Sequence, residues 1–322
     1  MALPAVAIAT GDPGGIGPEI SLKAALDPAV RAMCRPILVG DRRVLEVHAQ
    51  ACHLSLEGVE LIERRQLEPQ ELRIGQIAAA HGRAALDSAR VAIQAALAGE
   101  VRAVVAAPHN ESAIHAAGVE FDGYPSFVAR VAGLPPEDGI LMLCFEHRGR
   151  EVRIAHVTLH TSVAAALRLI TRERVAKTIR SVVSALARLG IAQPRLAISG
   201  VNPHAGENGL FGDEESSIVE PALDELRREG TEVDGPIGAD ILIQREGYDA
   251  YVVMLHDQGH VAAKLLAPHR VAGMTIGTPV LFSSVAHGSA LDIAGKNRAD
   301  HRALLEAIAR LTGNRIPHER LH

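Results

Sequence analysis

The chain has 322 residues, of which 48% are hydrophobic and 22% are charged. This composition excludes an intrinsically disordered protein, and the length is enough for two domains or one large α/β unit. With 33 Lys and Arg against 38 Asp and Glu, the net charge of −5 argues against a nucleic-acid-binding protein.

The sequence also argues against a membrane or secreted protein. No apolar run approaches the roughly 20 residues that span a bilayer. The N-terminus lacks a basic segment followed by an apolar one, so we expect no signal peptide. The three cysteines Cys34, Cys52 and Cys144 are scattered, which is typical of reduced thiols. We therefore expect a cytoplasmic protein.

Short apolar runs alternate with helical periodicity in the first part of the chain. Ala5–Thr10 is predicted as a buried strand that leads into a Gly-rich turn and a helix from Pro18. Pro36–Val39 and Val101–Ala107 are predicted as further strands. Between them lies a long Ala-rich helix over Ile77–Ala98.

The second part of the chain begins with a predicted hairpin of Gly139–Phe145 and Glu151–Val157. The alternation of strands and helices then resumes, which predicts a largely parallel sheet with helices on both faces. Ligands of such sheets bind beyond the carboxyl ends of the strands. The remaining predicted elements are helices Arg172–Leu189, Glu214–Glu229 and Arg302–Leu311 and strands Arg195–Ser199 and Ala250–Leu255.

A Gly-rich segment, TGDPGGIGPE over residues 10–19, follows the first predicted strand. Such a turn can bring backbone N–H groups close to an anion. It is neither the GxGxxG dinucleotide fingerprint nor a phosphate-binding P-loop. A tight strand-to-helix turn and a binding role therefore both remain open.

Histidine is abundant, with 16 residues. Three of them, His160, His204 and His256, follow or adjoin predicted strands in polar, Gly-rich surroundings. Three imidazoles at strand ends can converge on one divalent ion and leave positions open for substrate oxygens. Asp257 can accept the other ring N–H of His256 and so fix its tautomer. A single histidine is more often structural, but three in equivalent positions favour a metal site. We interpret His48, His53, His81, His318 and His322 as surface residues.

Two further segments carry candidate functional residues. Lys264, eight residues after His256, is a candidate general acid or base, because a nearby cation would favour its neutral form. The segment His287–Asn297 is rich in small residues that permit close approach of a flat ligand. In it, Asp292 can bond a hydroxyl pair and His287 can stack on a ring.

Four segments, GDPGGIGPEI, NPHAGENG, GADILIQRE and HDQG, closely resemble those of the 4-hydroxythreonine-4-phosphate dehydrogenase family, in order and over essentially the whole chain. The segment HGSALDIAGKN also resembles the adenosine-binding loop of isopropylmalate and isocitrate dehydrogenases. The resemblance implies an α/β fold of that type, with two α/β domains and a cleft between them. We expect an NAD-binding domain over 1–125 and 265–322. Residues 126–264 would form the metal, substrate and dimerisation domain.

The resemblance implies an NAD-dependent oxidation of a secondary alcohol followed by decarboxylation, assisted by a divalent metal such as Zn, Fe, Co or Mg. It implies a homodimer whose site is shared across the interface, with His256 contributed by the partner subunit. The implied metal ligands are His160, His204 and His256, with Lys264 and Asp257 as catalytic residues. The implied NAD-binding residues are His287, Gly288, Asp292, Gly295 and Asn297.

The sequence departs from the family where the substrate phosphate is bound. Family members carry a Lys in the segment that here reads Pro108–Glu111, and Gly-His-Thr-Glu where this chain has Gly123–Ser126. They carry an Asn and an Arg where this chain has Gly273 and Phe282. Charge-assisted hydrogen bonds to a phosphate are worth about 1.5–3 kcal/mol each, so these losses would remove most phosphate recognition.

We therefore expect a flatter, non-phosphorylated hydroxy carboxylate as substrate. A variant activity within the wider family is the oxidation and decarboxylation of a terephthalate cis-dihydrodiol, 1,2-dihydroxy-3,5-cyclohexadiene-1,4-dicarboxylate, to protocatechuate. Two alternatives remain open: the ordinary family reaction in pyridoxal phosphate biosynthesis, and a non-catalytic metal-binding protein on the same scaffold. The expected substrate contacts are His109, Tyr124, Ser126 and Phe282, with Arg130 as a further candidate.

Overall fold

A computed structural model of the chain describes residues 3–268 and 270–314. The described residues form two compact units. Unit 1 comprises the residues up to Pro136 together with those from Thr278 onward, and unit 2 comprises Glu137–Gly277. The sequence predicts domain boundaries at 125/126 and 264/265. The observed unit boundaries lie further along the chain, because a helix over Tyr124–Val131 packs in the core of unit 1 and a strand over Ala272–Ile276 pairs within unit 2.

Unit 1 contains five parallel strands in the order β3-β2-β1-β4-β11. β1 and β4 are buried along almost their whole length, because helices cover both faces of a parallel sheet. The strands are β1 Ala5–Ala9, β2 Arg35–Gly40, β3 Glu60–Glu63, β4 Ala103–Ala106 and β11 Phe282–Val285. The helices are α1 Gly17–Leu26, α2 Pro28–Met33, α3 Arg42–Cys52, α4 Ala79–Leu97, α5 Glu111–Ala116, α6 Tyr124–Val131 and α12 Arg302–Thr312.

Unit 2 contains six strands in the order β10-β5-β6-β9-β7-β8, of which β6, β9, β7 and β8 are mutually parallel. The strands are β5 Ile140–His147, β6 Arg150–His156, β7 Leu196–Ser199, β8 Val233–Ile237, β9 Ala250–Val253 and β10 Ala272–Ile276. The helices are α7 Val163–Leu169, α8 Arg172–Arg188, α9 Glu220–Arg228, α10 Ala239–Leu242 and α11 His256–Leu266.

The predicted hairpin is confirmed. β5 and β6 are antiparallel, and His147 pairs with Arg150 across a two-residue turn. The turn residues Arg148 and Gly149 have φ values of 52° and 74°, as required by the turn type whose twist matches that of the strands. Because β5 also pairs antiparallel with β10, this hairpin separates β10 from the parallel part of the sheet in unit 2.

The other predicted helices and strands are present with bounds shifted by a few residues. The sequence did not predict α11, which begins at His256 immediately after β9. It also did not predict the helices α2, α3, α5, α6, α7 and α10 or the strands β3, β8, β10 and β11. Among the described residues, no helix is both long enough and apolar enough to cross a bilayer.

Candidate functional site

The three candidate metal ligands follow three neighbouring parallel strands of unit 2. His160 follows β6, His256 follows β9 and His204 follows β7, and these strands lie side by side in the order β6-β9-β7. Neighbouring strands are about 4.8 Å apart. The topology therefore brings all three histidines to one edge of the sheet, as the sequence predicted.

His160 and His256 lie close together within one chain, with ring centroids 5.7 Å apart. Because a metal–imidazole bond is about 2.1 Å long, two imidazoles on one ion have centroids roughly 5 Å apart. His256 Nδ1 lies 2.7 Å from Asp257 Oδ1, so Nδ1 carries the proton and Nε2 is left as the donor to an ion. The role of Asp257 in fixing the tautomer stays a prediction, and this contact is compatible with it.

Gln258 anchors the beginning of α11 to the strand ends. Its Oε1 accepts hydrogen bonds from the Met254 and Leu255 amides at 2.9 and 3.0 Å. Its Nε2 donates to the Gly200 carbonyl oxygen at 3.0 Å. Gln258 therefore joins the end of β9 to the end of β7 and fixes where His256 leaves the sheet.

Gly259 is required by a close approach to a buried histidine that the sequence did not single out. A Cβ atom at Gly259 would lie 2.3 Å from Nε2 of His156, which is the last residue of β6 and is 2% exposed. Any other residue would push α11 away from β6. The glycine of the HDQG segment thus lets the helix that carries His256 pack directly on the strand that leads to His160.

The hydrogen bonds of His156 fix the tautomers of a histidine pair. His156 Nδ1 lies 3.3 Å from the carbonyl oxygen of Leu141, which can only accept, so Nδ1 donates. His156 Nε2 then accepts from His260 Nδ1 at 3.2 Å. His260 is therefore left with a lone pair on Nε2. Its ring also stacks on that of His256, with centroids 3.8 Å apart.

Both members of this pair are held neutral. Burial, with a smaller contribution from His260, lowers the pKa of His156 from 6.5 to about 3. Burial and the neighbouring His256 lower the pKa of His260 from 6.5 to about 4. A sequence signal for the pair existed in the second histidine of HDQGH, four residues and therefore one helical turn after the first.

Lys264 lies one helical turn beyond His260 on α11 and is exposed. Its positive charge contributes to the lowered pKa of His260, which places it on the same side of the helix as the histidines. Lys264, eight residues after His256, therefore lies on the same face of α11 as the histidines.

His204 lies in a segment with unusual backbone geometry. Its φ is 50°, and the next four residues, Ala205 to Asn208, also have φ between 44° and 77°. A non-glycine residue in this left-handed region costs about 1 kcal/mol or more. The His204 ring lies 6.1 Å from the ring of Phe211, measured between centroids. A strained, exposed loop therefore presents the third candidate ligand.

A buried carboxylate, Glu215, holds this loop in place. Glu215 Oε1 accepts from the backbone amides of Val201 and Asn202 at 2.7 and 2.8 Å. Its Oε2 accepts from Asn202 Nδ2 at 3.0 Å. Glu215 is 4% exposed and begins a π-type turn, Glu215–Val219, that leads into α9. No sequence pattern distinguishes this residue from its neighbours.

The donor chemistry fits a divalent transition metal, but one chain does not assemble three ligands. Within residues 3–268 and 270–314, no group of three or more His, Cys, Asp or Glu side chains is placed to hold an ion. His160 and His256 supply two imidazoles.

In unit 1, the Gly-rich turn uses its backbone amides internally. The amides of Gly14 and Gly15 bond Asp12, at its side-chain and carbonyl oxygens respectively, and the Ile16 amide bonds the Ser289 carbonyl at 2.9 Å. A Cβ atom at Gly15 would lie 2.6 Å from Ser289 Cβ. Of the two interpretations left open, the geometry favours a tight turn that supports the 287–297 loop.

Two histidines near this turn correct a sequence interpretation. His48 and His81 are fully buried, so their interpretation as surface residues is wrong. His48 Nε2 bonds the Pro13 carbonyl at 2.9 Å, and burial lowers its pKa. His53 is exposed as expected. His318 and His322 lie outside the described residues.

The predicted NAD-binding residues form one irregular loop after β11. Asp292 is exposed, and Lys296 Nζ bonds its backbone carbonyl oxygen, not its carboxylate, at 2.7 Å. Gly295 and Asn297 have φ of 69° and 54°. Half-buried His287 and exposed Gly288 begin the loop. The exposed carboxylate among small residues fits the ribose and ring of an adenosine.

The predicted substrate-contacting rings belong to an aromatic cluster in unit 1. The His109 ring lies 4.9 Å from Tyr124, which lies 4.8 Å from Phe282. Phe282 is 1% exposed and Tyr124 is 5% exposed, so both rings lie below the surface of this chain. Burial lowers the pKa of His109 and raises that of Tyr124. Among the described residues the Tyr124 hydroxyl has no hydrogen-bond partner.

The two other candidate substrate contacts, Ser126 and Arg130, both bond Asp122, which no sequence pattern indicates. Ser126 Oγ donates a short hydrogen bond to Asp122 Oδ1. Arg130 Nη2 donates to the same oxygen at 3.0 Å. Hydrogen bonds from Ser126 and Arg130 together lower the pKa of Asp122 against the effect of burial. An incoming carboxylate or phosphate would have to compete with Asp122 for both groups.

Comparison with known proteins points to one family. The family model described as pyridoxal phosphate biosynthetic protein PdxA matches residues 32–311. The chain is 44% identical over 307 residues to 1,2-dihydroxy-3,5-cyclohexadiene-1,4-dicarboxylate dehydrogenase of Comamonas sp, covering 95% of this chain and 96% of that protein. It is 38% identical over 325 residues to D-threonate 4-phosphate dehydrogenase of Cupriavidus necator, covering 95% and 96%.

Solved structures agree. A terephthalate 1,2-cis-dihydrodiol dehydrogenase from Burkholderia xenovorans LB400 is 42% identical with a TM-score of 0.76, covering 98% of this chain and 100% of that one. A 4-hydroxythreonine-4-phosphate dehydrogenase from Burkholderia phymatum is 33% identical with a TM-score of 0.82 and the same coverage. A β-decarboxylating dehydrogenase from Thermococcus kodakarensis, 18% identical, shares the fold with a TM-score of 0.54, covering 96% and 82%. The predicted fold class is confirmed.

The buried histidine pair predicts a pH-dependent stability. His156 is neutral in the folded chain, with a pKa of about 3 against 6.5. It therefore stabilises the fold above pH 6.5, and this contribution is lost as the pH falls towards 3. In metal-free protein, the free energy of unfolding should fall by about 2 kcal/mol more than in His156→Gln between about pH 7 and pH 5. Urea unfolding at several pH values measures this. Parallel pH profiles for the two proteins would contradict the assignment.

The Glu215 contacts predict that replacing this residue destabilises the protein and loosens the His204 loop. In Glu215→Gln, the new side-chain NH2 group would face Asn202 Nδ2, which is also a donor. The free energy of unfolding should therefore fall by about 1–3 kcal/mol. Limited proteolysis should then cleave within residues 203–212 faster. The half-buried neighbour Glu214 provides a control, because Glu214→Gln removes the same charge and leaves the bonds to the Val201 and Asn202 amides. Equal effects of the two substitutions would show that Glu215 has no special role.

Proposed function

The chain belongs to the PdxA family, and from that membership we propose that it is an NAD-dependent, metal-assisted dehydrogenase that oxidises and decarboxylates a hydroxy carboxylate. The observation that carries the proposal is the placement of His160, His256 and His204 beyond three neighbouring parallel strands. Its relatives are named dehydrogenases, which supports an oxidoreductase.

We propose a terephthalate-type cis-dihydrodiol, 1,2-dihydroxy-3,5-cyclohexadiene-1,4-dicarboxylate, as the substrate. The 44% identical relative from Comamonas carries this substrate in its name. The residues at the expected phosphate wall support the choice. Arg130 is engaged by Asp122, and exposed Glu111 adds a negative charge at the beginning of α5. Phe282 stands where the family carries a cation.

The proposed reaction balances without any further reactant. The secondary alcohol gives up a hydride to NAD⁺ and its hydroxyl proton to a base. The resulting β-keto acid breaks its bond to the neighbouring carboxylate, which leaves as CO₂. The electron pair of that bond forms a ring double bond to the carbonyl carbon, and the resulting enolate oxygen takes up one proton to give the aromatic product protocatechuate. The proton released in the first step equals the proton consumed in the second.

Within this proposal, His160, His204 and His256 would hold the metal. When bound, NAD supplies the hydride acceptor and a divalent ion supplies Lewis-acid polarisation of the substrate oxygens. Asp257 holds His256 with Nε2 unprotonated, as its 2.7 Å contact with Nδ1 requires. Lys264 Nζ, exposed on the histidine face of α11, would take the hydroxyl proton in the first step and return it to the same oxygen in the second.

NAD would be held by the loop after β11. Asp292 would bond the adenosine ribose through its exposed carboxylate. The small residues Gly288 and Gly295 would admit the adenine, against which His287 would stack. The Gly-rich turn supports this loop through the bond between the Ile16 amide and the Ser289 carbonyl at 2.9 Å.

We further propose a homodimer that completes the metal site. Large apolar side chains are exposed in i, i+4 pairs on the two helices that follow the histidines: Val163 and Leu167 on α7, and Val261 and Leu265 on α11, with Leu265 76% exposed. Such faces suit a partner subunit that brings its own His256 to His160 and His204. The three buried free cysteines support a reducing, cytoplasmic location.

A phosphorylated substrate is the second candidate. The 38% identical relative from Cupriavidus is named for D-threonate 4-phosphate, and a 33% identical structure is a 4-hydroxythreonine-4-phosphate dehydrogenase. This would be the ordinary reaction of pyridoxal phosphate biosynthesis or a close variant. The remote third candidate is a metal-binding protein without activity, which would bind an ion but not NAD.

Activity assays separate the candidates. We expect NADH formation and CO₂ release from the dihydrodiol dicarboxylate, and little from D-threonate 4-phosphate or 4-hydroxythreonine 4-phosphate. His204→Ala should lose bound metal and lower kcat by at least about 100-fold while remaining folded, since an exposed loop ligand carries no core packing. Turnover confined to phosphorylated substrates would favour the second candidate. Metal binding without a thermal shift by NAD would favour the third.

The dimer has its own test. Leu265→Glu places a charge on the exposed face of α11 without disturbing the core, so the protein should sediment as a folded monomer with weakened metal binding. Leu97→Glu on α4, which alters another exposed leucine, 43% exposed, should remain a dimer. A wild-type chain that sediments as a monomer while retaining turnover would rule out the shared site.

A further inference from the structure

A cavity of about 680 Å³ lies along β8 in unit 2. β8 is the last strand in the order of this sheet, so the cavity runs along the sheet edge. We call it the β8 pocket and define it by Arg195, Arg227, Asp234, Ile241, Arg245 and Tyr248, with His204 and Ala205 forming one wall. Its volume falls in the range of small-molecule sites, roughly 300–1,000 Å³.

The one carboxylate among the lining side chains already has its partners. Arg195 Nη2 and the Tyr248 hydroxyl both donate to Asp234 Oδ2 at 2.8 Å. The guanidinium carbon of Arg195 also lies 4.8 Å from the centre of the Tyr248 ring. Arg195 is thus held in a fixed orientation by an ion pair and a cation–π contact, with N–H groups to spare.

The two other arginines leave positive charge in the pocket. Arg227 is oriented mainly by carbonyl oxygens, those of Val233 and Gly235 at 3.2 and 3.1 Å, besides an exposed ion pair with Asp224. Arg245 is exposed, and across the described part of the chain its guanidinium forms neither a hydrogen bond nor an ion pair. Three guanidiniums therefore face one neutralised carboxylate.

The rest of the lining consists of glycine and apolar residues. Pro236, Ile237 and Ile241 form a wall beside the arginines, and Ile241 is 43% exposed. An oriented guanidinium fork beside an apolar wall is the chemistry that binds a carboxylate or phosphate attached to a small carbon skeleton.

We propose that the β8 pocket is a binding site for a small anionic metabolite, whose carboxylate or phosphate group is held by Arg245 and Arg195. The carbon skeleton of the ligand lies against Pro236 and Ile241. The site is distinct from the proposed metal ligands His160 and His256. It touches the machinery only through His204, whose loop forms one wall, so an occupant also restrains that loop.

Titration calorimetry on the full-length protein tests the proposal, with inorganic phosphate and benzene-1,4-dicarboxylate as the two probes. We expect saturable binding of at least one probe, one molecule per chain, and the stronger probe identifies the anionic group. Arg245→Gln should weaken binding about tenfold or more. Ile241→Trp, which fills the pocket without changing charge, should abolish it.

The exposed Arg43 of unit 1 provides the matched control, because Arg43→Gln removes the same charge outside the pocket. Binding lost in Arg245→Gln and Ile241→Trp but kept in Arg43→Gln would support the site. Absent binding, binding unchanged in both pocket variants, or an equal loss in Arg43→Gln would overturn it. These outcomes do not depend on turnover, so they are separate from the tests of the proposed function.

Discussion

Neighbouring parallel strands all end at the same edge of a sheet, and this constraint determines where the candidate metal ligands lie. In unit 2 it applies to β6, β9 and β7, which are followed by His160, His256 and His204. The packing of α11 then depends on Gly259, because His156 occupies the space that a side chain would need. The position of His256 is therefore set by the sheet, by the hydrogen bonds of Gln258 and by the lack of a side chain at Gly259.

The same region concentrates features that ordinary packing would avoid. The His204 loop has six successive residues with positive φ, His204 to Gly209, four of them not glycine. Buried His156 lies beneath α11 and pairs with half-buried His260 of that helix, and the pKa of His156 is lowered to about 3. Strained backbone and desolvated polar groups persist only where the surrounding structure fixes them, and Glu215 and Leu141 provide those contacts. Such features are typical of functional sites.

Much of this arrangement follows from the sequence. Strand–helix alternation predicted the parallel sheets, and HDQG and NPHAGENG marked the histidines. Periodicity could not show that the residues after Leu255 form a helix, because a polar HDQGH segment resembles a loop. Nor could it separate buried Glu215 from half-buried Glu214, or buried His48 and His81 from surface histidines, since burial depends on contacts distant in sequence.

The central claim is that one divalent ion joins imidazoles from three strand ends. Anomalous diffraction at the absorption edge of the bound metal, measured on crystals of the purified protein, tests it most directly. The account predicts one peak per chain within bonding distance of His160, His204 and His256, with His256 contributed by either copy of a dimer. A peak bound by other residues, or no peak in a protein that still oxidises its substrate, would contradict it.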